Sequence, residues 1–303
     1  MLPIDLANYC KDVSNKWNNI NKGFGLWALH SATLLLGGTT LFSKLIPLSA
    51  LDITIIRCVI ASTVLCLLLK ITKQPLRLNK LSDYGWAVLL AALVGAHWVT
   101  FFLGMQLSTI AIGLIAFYTY PVMTVFLEPL FNREKIQGQD IISALVVLIG
   151  ISLLVPELSL ENDVTLGIIS GISSAFLFTL RNILYKRKLS HYSGPHTMFY
   201  QTLLTACMLS PFLGVDLAGI NNDSWTLLVV LGICFTAMPH TLLVTALRYL
   251  KAKTVGLISC LQPLYGSLLA IPFLGEIPNT ATITGGVLVV SAALFETWNA
   301  GKK

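Results

Sequence analysis

Apolar residues run along this chain in long blocks. They show neither the two-residue alternation of a half-buried strand nor the polar stripe of a surface helix. A helix needs about 20 mainly apolar residues to cross the hydrocarbon of a bilayer. Ten segments reach that scale: roughly 24–43, 50–69, 84–106, 109–131, 139–156, 164–186, 195–215, 225–247, 253–275 and 280–299. The pattern predicts an all-α integral membrane protein of ten transmembrane helices, with a polar N-terminal tail over 1–23 and a short C-terminal tail over 300–303. No cleavable leader is expected, since the first block follows a polar stretch and is itself long enough to span.

Composition agrees with lipid as the main solvent. Of 303 residues, 55% are hydrophobic and 11% charged, and the mean hydropathy is +0.77. An ordinary soluble domain carries about 25% charged residues, because it needs a polar skin. The net charge of +6 does not indicate a nucleic-acid partner, since the basic residues are spread through short loops rather than gathered on one face. Cys10, Cys58, Cys66, Cys207, Cys234 and Cys260 lie mostly within apolar segments and form no CxxC pair. They read as small hydrophobes rather than a disulfide or metal framework.

Charge then orients the array. With the N-terminus in the cytoplasm, that side collects Lys11, Lys16, Lys22, Lys70, Lys73, Arg77, Lys80, Arg133, Lys135, Lys186, Arg187, Lys188, Arg248, Lys251, Lys253, Lys302 and Lys303. The opposite side holds only Lys44, while Arg57 and Arg181 fall within spans. Positive residues stay on the cytoplasmic side of a membrane protein, so both termini are expected there, in a bacterial inner membrane. Glu157, Glu161, Asp163, Asp216 and Asp223 fall on the other side.

The chain also repeats itself. A shift of 142 residues places Pro121 on Pro263, Glu134 on Glu276, and His97-Trp98 on Pro239-His240. The halves are 24–156 and 164–299, with five spans each. An odd number of spans per half means that the second half enters the membrane from the opposite side. Inverted repeats of this kind build alternating-access transporters with a site near the midplane.

On these residues the chain resembles the drug/metabolite transporter superfamily, in its EamA-type branch. The resemblance rests on Gly37-Gly38-Thr39-Thr40 in the first span and Arg57 in the second. It also rests on the run from Leu261-Gln262-Pro263 to Phe273-Leu274-Gly275-Glu276 in the ninth. The first-half counterpart, Tyr120-Pro121 to Asn132-Arg133-Glu134, lacks the Leu-Gly before the acid, and the first span has Leu-Gly-Gly-Thr where Trp-Gly-Ser is commoner. The resemblance implies a ten-helix basket whose first, third, fourth, sixth, eighth and ninth spans surround a cavity. Known members move amino acids, sugars, nucleotide derivatives and other metabolites, often outward, and some are homodimers.

Charges inside the hydrocarbon are costly and need a reason. Arg57 reads as an anion clamp or gate partner, pairing with Asp52 or a substrate carboxylate. The favoured alternative is structural, with its head snorkelling to the outer interface or bonding helix-end carbonyls. Glu128 reads either as a proton-coupling carboxylate or as a partner of Arg133 near the helix end. Arg181 is expected to snorkel toward Lys186-Arg187-Lys188, and Glu134 and Glu276 to cap or pair at helix ends.

Three histidines, His30, His97 and His240, fall inside spans. Each is either a hydrogen-bonded packing residue or part of the cavity lining, and the last two gain weight from their neighbouring places in the repeat. No metal site is expected. Trp98, Phe101, Tyr118, Tyr120, Phe235 and Tyr265, with Gln262, Asn182 and Gln201, are candidates for an amphipathic pocket. The alternative for the aromatics is helix packing or an interfacial belt, to which Trp27, Trp86, Trp225 and Trp298 are assigned. Pro121, Pro129, Pro239, Pro263 and Pro272 each leave a carbonyl unpaired and permit a kink; Pro121 and Pro263 are the candidate gating hinges. Gly167 and Gly171, like Gly37-Gly38 and Gly285-Gly286, allow close helix packing.

The expected function is secondary transport of a small organic metabolite, an amino acid or similar amphipathic solute, by export. No Gly-x-x-x-x-Gly-Lys-Ser/Thr motif is present, so the chain is expected to hydrolyse no ATP of its own; no cofactor is expected. Coupling would be to protons, a counter-substrate or the solute's own gradient. A membrane enzyme would need a compact catalytic cluster, and a scaffold or receptor would need larger loops or a soluble domain.

Overall fold

The computed structural model describes residues 6–133, 138–153, 162–250, 255, 258–259 and 261–301. Among these there is no strand. The helices are α1 (Leu6–Thr39), the short α2 (Phe42–Leu45), α3 (Ala50–Ile71), α4 (Leu81–Leu107), α5 (Ile110–Phe117), α6 (Tyr120–Asn132) and α7 (Gly138–Ser152). The second half holds α8 (Asp163–Lys188), α9 (Gly194–Leu209), α10 (Asn222–Gly232), α11 (Met238–Tyr249), α12 (Gln262–Leu274) and α13 (Thr280–Gly301). Helix starts carry the residue types that satisfy free amides. Ser49, Thr109, Asn162, Ser193 and Asn221 each accept a backbone N–H with the side chain, at α3, α5, α8, α9 and α10.

Five helical stretches are long and apolar enough to cross a membrane: Ala50–Ile71, Leu81–Leu107, Ile110–Phe131, Asp163–Lys188 and Asn222–Tyr249. The other expected spans correspond to α1, α7, α9, α12 and α13. Helix α1 begins at Leu6, well inside the segment read as a tail. Large apolar side chains such as Leu34, Val59, Leu67, Phe176, Leu268 and Val287 are exposed. An apolar exterior of this extent is what a lipid-facing surface requires.

Helix partnership follows a two-fold pattern. Numbering spans from the N-terminus, the third packs on the sixth (α4 on α8) and the first on the eighth (α1 on α11). These pairs exchange when the halves are swapped. The second packs on the seventh (α3 on α9) and the fifth on the tenth (α7 on α13), pairs that map onto themselves. Small residues permit the approach. A side chain on Gly104 would collide with the backbone of Gly167 and Gly171, and one on Gly150 with that of Gly285.

Connections sort into two ends. At one, Lys44 Nζ donates to the carbonyls of Gln106 (3.3 Å) and Ser108 (2.8 Å). There the Gly214 N–H also donates to Asp52 Oδ1 (2.8 Å), and the Ile110 N–H to Glu276 Oε2 (2.8 Å). Glu276 thus caps the N-terminus of α5, where a carboxylate also meets the positive end of the helix dipole; its counterpart Glu134 lies outside the described residues. At the other end Lys186 Nζ donates to the Leu250 carbonyl (2.9 Å), Arg187 to Phe131 (2.5 Å) and Arg248 to Ser190 (3.1 Å). Here Tyr192 receives the Asn79 N–H and donates to Asp83 Oδ2, both at 2.6 Å. Burial and the Asp83 carboxylate push the Tyr192 phenol above its ordinary range.

The repeat extends to helix boundaries. Helices α6 and α12 are 13 residues each and are offset by 142 at both ends. The ends of α4 and α11 share that offset. Helix α6 closes on Arg133 (φ 57°) and α12 on Gly275 (φ 68°), both left-handed.

Candidate functional site

Between the halves lies a cavity. Its wall is Leu36, Thr39, Arg57, His97, Trp98, Phe101, Phe117, Tyr120, Phe178, His240, Leu243, Ser259 and Gln262. Five positions occur twice in that wall, 142 residues apart: Leu36 and Phe178, Trp98 and His240, Phe101 and Leu243, Phe117 and Ser259, Tyr120 and Gln262. The two-fold relationship therefore governs the lining itself. The chemistry is unequal, with aromatic faces concentrated in the first half and His240, Ser259 and Gln262 in the second. Rings of His97, Phe101, Phe117 and Phe178 neighbour one another at 4.9–5.8 Å between centroids.

Prolines shape the wall by freeing carbonyls. Pro239 cannot donate to the Phe235 carbonyl four residues back, and the helix widens there into a π turn over Ile233–Ala237. Thr39 Oγ1 donates to that carbonyl at 3.1 Å, which ties the end of α1 to the eighth span. Pro263 likewise leaves the Ser259 carbonyl without its helical donor, and the Tyr118 hydroxyl donates to it. The same hydroxyl is 2.9 Å from Gln262 Oε1, and Gln262 Nε2 donates to the Leu36 carbonyl (3.2 Å). Pro121 and Pro263 were expected as kinks within continuous helices. Instead both stand in the first turn of a helix that restarts after a break, a position where proline costs nothing.

Of the residues singled out by sequence, Arg57, His97, Trp98, Phe101, Tyr120, His240 and Gln262 share the cavity wall. His97 Nδ1 lies 2.7 Å from Ser174 Oγ, whose hydroxyl donates to the His97 carbonyl (3.0 Å). That arrangement assigns the ring proton to Nδ1 and leaves Nε2 as an acceptor. Tyr118 stands one layer behind, holding Gln262. The others lie elsewhere. His30 is exposed on α1. Phe235 packs on Phe42 at 5.0 Å, and Tyr265 lies against Gly37. Glu128 is half-buried on α6, off the cavity wall, and forms no ion pair with Arg133 among the described residues. Sequence reasoning missed Leu36, Thr39, Phe117, Phe178, Leu243 and Ser259. The 142-residue offset, applied to Trp98, Phe101 and Tyr120, points to three second-half wall positions at once.

Both intramembrane arginines differ from expectation. Arg181 does not snorkel; it is buried, with Nε on Gln201 Oε1 (2.8 Å), Nη1 on Asn182 Oδ1 (2.8 Å) and Nη2 on Met198 Sδ (3.1 Å). Asn182 and Gln201, expected in the pocket, are engaged by this cation. Arg57 does not snorkel or bond a carbonyl. It is fully buried, its guanidinium lying 4.6 Å from the Trp98 ring centre and 4.5 Å from that of Phe102. Its Nε, Nη1 and Nη2 and the Trp98 Nε1 have no hydrogen-bond partner among the described residues. The second span, through Arg57, thus joins the six that the resemblance placed around the cavity.

Residues 23–155 and 165–297 each match the EamA-like transporter family; the two stretches are again offset by 142. An uncharacterized transporter YxxF of Bacillus subtilis is 25% identical over 264 residues, covering 84% of this chain and 84% of that one. An uncharacterized transporter of Archaeoglobus fulgidus is 26% identical over 192 residues, covering 63% and 68%. A solved crystal structure superposes with a TM-score of 0.68 at 15% identity, covering 94% of this chain and 98% of its own, and shares the fold.

Proposed function

Because the chain belongs to the EamA-like transporter family, we propose that it is a secondary transporter exporting a small amphipathic organic solute, an amino acid or one of similar build, across a bacterial inner membrane. Both termini face the cytoplasm in this reading. The solute occupies the cavity between the halves, and the halves rock about it so that each side gains access in turn. The observation that carries the reading is the doubled wall. A site made from the same five positions of two oppositely inserted halves can present equivalent surfaces to either side, which alternating access requires. Apolar walls with a few polar anchors suit a metabolite better than an inorganic ion.

The test is counterflow in liposomes, with purified protein and a broad panel of labelled amino acids, organic acids, sugars and nucleotides. Saturable counterflow of one class is the expected result. If nothing in the panel moves while a compound is chemically altered, the protein is a membrane enzyme instead. Flux with and without an imposed pH gradient, repeated in Glu128→Gln, reports whether protons drive the cycle and whether Glu128 carries them.

A further inference from the structure

The cavity wall holds a cation, Arg57, that no acidic side chain among the described residues neutralises. Arg57 lies seven residues into α3, about 10 Å from the end of the helix. Its guanidinium carbon lies over the rings of Trp98 and Phe102. Aromatic faces stabilise a cation above them, but the Arg57 N–H groups are left without a hydrogen-bond partner among the described residues. A carboxylate meets such a guanidinium with two parallel hydrogen bonds.

Among the described residues no acidic side chain fills the role. Asp52, on the same helix, is held by the Gly214 N–H (2.8 Å) and the Ser49 hydroxyl (2.7 Å). Asp83 is engaged at the opposite end by Tyr192. None of the described residues lining the cavity is acidic. Arg181, one turn beyond the wall residue Phe178, is bonded among the described residues to the neutral acceptors Gln201, Asn182 and Met198, with no carboxylate there to compensate its charge. The partnerless lining atoms, Arg57 Nε, Nη1 and Nη2 and Trp98 Nε1, are all donors. Burying an unpaired cation is costly, and a cavity that retains one is built for a ligand that brings the opposite charge.

We infer that the cavity takes a net-anionic solute, an organic monocarboxylate, whose carboxylate pairs with the unpartnered Arg57 guanidinium beside the Trp98 indole N–H and whose uncharged apolar body lies among Phe117, Tyr120 and Phe178. This rests on the transporter reading of the same cavity and replaces the amino acid of that reading with a monocarboxylate of similar build. A zwitterionic amino acid presents the same carboxylate, but its ammonium finds no carboxylate in the wall. A dianionic phosphate ester needs more donors than one guanidinium and one indole supply.

The test is equilibrium binding to the purified, detergent-solubilised protein, with four probes that share one phenethyl body. These are 3-phenylpropionate, its amide, phenylalanine and phenethylamine, run beside a series of aliphatic monocarboxylates and a phenyl phosphate. The monocarboxylates are expected to bind at least about 30-fold more tightly than matched neutral, zwitterionic or cationic probes, the ratio that loss of one partner of a buried charge pair produces. Arg57→Lys should weaken them and Arg57→Met abolish the preference. Without ligand, Arg57→Met should melt no lower than the wild type, since the cation it removes has no anionic partner among the described residues and a methionine keeps the contact with the Trp98 and Phe102 rings. Equal or tighter binding of the zwitterion, amine or phosphate, no monocarboxylate binding at all, or a ligand-free Arg57→Met that melts lower overturns the inference. Monocarboxylate binding without flux in liposomes would sink the transporter reading alone. Flux of neutral or cationic solutes by a protein that binds no monocarboxylate would sink this inference alone.

Discussion

The rings of Trp98 and His240 lie 4.8 Å apart between centroids, and the two residues are the same position counted once in each half. Trp98 stands nine residues before the end of α4, and His240 nine before the end of α11. Those helices run on to opposite ends of the molecule, about 14 Å beyond the contact on each side. The two-fold relationship thus brings the halves together through one aromatic pair.

That pair should be energetically coupled. Trp98→Leu and His240→Leu, made singly and together, are expected to lower the melting temperature non-additively. The coupling term should be about 0.5–1.5 kcal/mol, the usual worth of an aromatic pair beyond its burial. Additive losses would mean that the rings are neighbours without mutual stabilisation.

Thr39 is expected to be needed only because Pro239 is present. Thr39→Val strips the Phe235 carbonyl of its donor, and an unsatisfied buried carbonyl costs about 1–3 kcal/mol. Pro239→Ala restores a backbone N–H that can reach Phe235. In the Pro239→Ala background, Thr39→Val should therefore lose most of its effect on thermal stability. A full-sized loss in the double variant would show that Thr39 acts through some other contact.

Much of this was legible in the sequence, and the exceptions share a cause. Span positions, the sorting of charge and the 142-residue offset are one-dimensional patterns, and the spans and repeat emerge in the helices with that same offset. What hydropathy does not encode is the rotation of each helix about its own axis. His30 and His97 sit in equally apolar surroundings, yet one is exposed and the other faces the cavity. Arg181 lies within reach of a helix end and was expected to snorkel, but Gln201 and Asn182 supply acceptors inside, a fact of tertiary contact. Asn182 and Gln201 were misplaced for the same reason. Phe178 carried no signal except its offset from Leu36.

Arg133 and Gly275 offer a direct comparison of one backbone position in two halves. Both close a 13-residue helix in the left-handed region, at φ 57° and 68°. Only glycine adopts that conformation without steric cost. Arg133→Gly is expected to stabilise the protein by about 0.5–1 kcal/mol and Gly275→Ala to destabilise it by about 1 kcal/mol. Thermal melts in detergent measure both. A destabilising Arg133→Gly would show that the arginine side chain contributes more than its strained backbone costs.

The repeat also makes a prediction about close packing. A Cβ on Gly37 would lie 2.6 Å from Tyr265 Cβ, and one on Gly171 would lie 2.7 Å from Ala116 Cβ. These contacts join the first span to the ninth and the sixth to the fourth, the pairs that exchange when the halves are swapped. In each case the obstructing atom is a Cβ, which cannot rotate away, so the helices themselves must separate. Gly37→Ala and Gly171→Ala should each cost about 1–3 kcal/mol, as overpacking does. Gly85, also helical but with nothing within 4 Å of its added Cβ, is the control; there alanine should stabilise by about 0.5 kcal/mol through helix propensity alone. The ordering of the three melting temperatures decides the matter. If Gly37→Ala melted as high as Gly85→Ala, the first and ninth spans would not be held at the separation described.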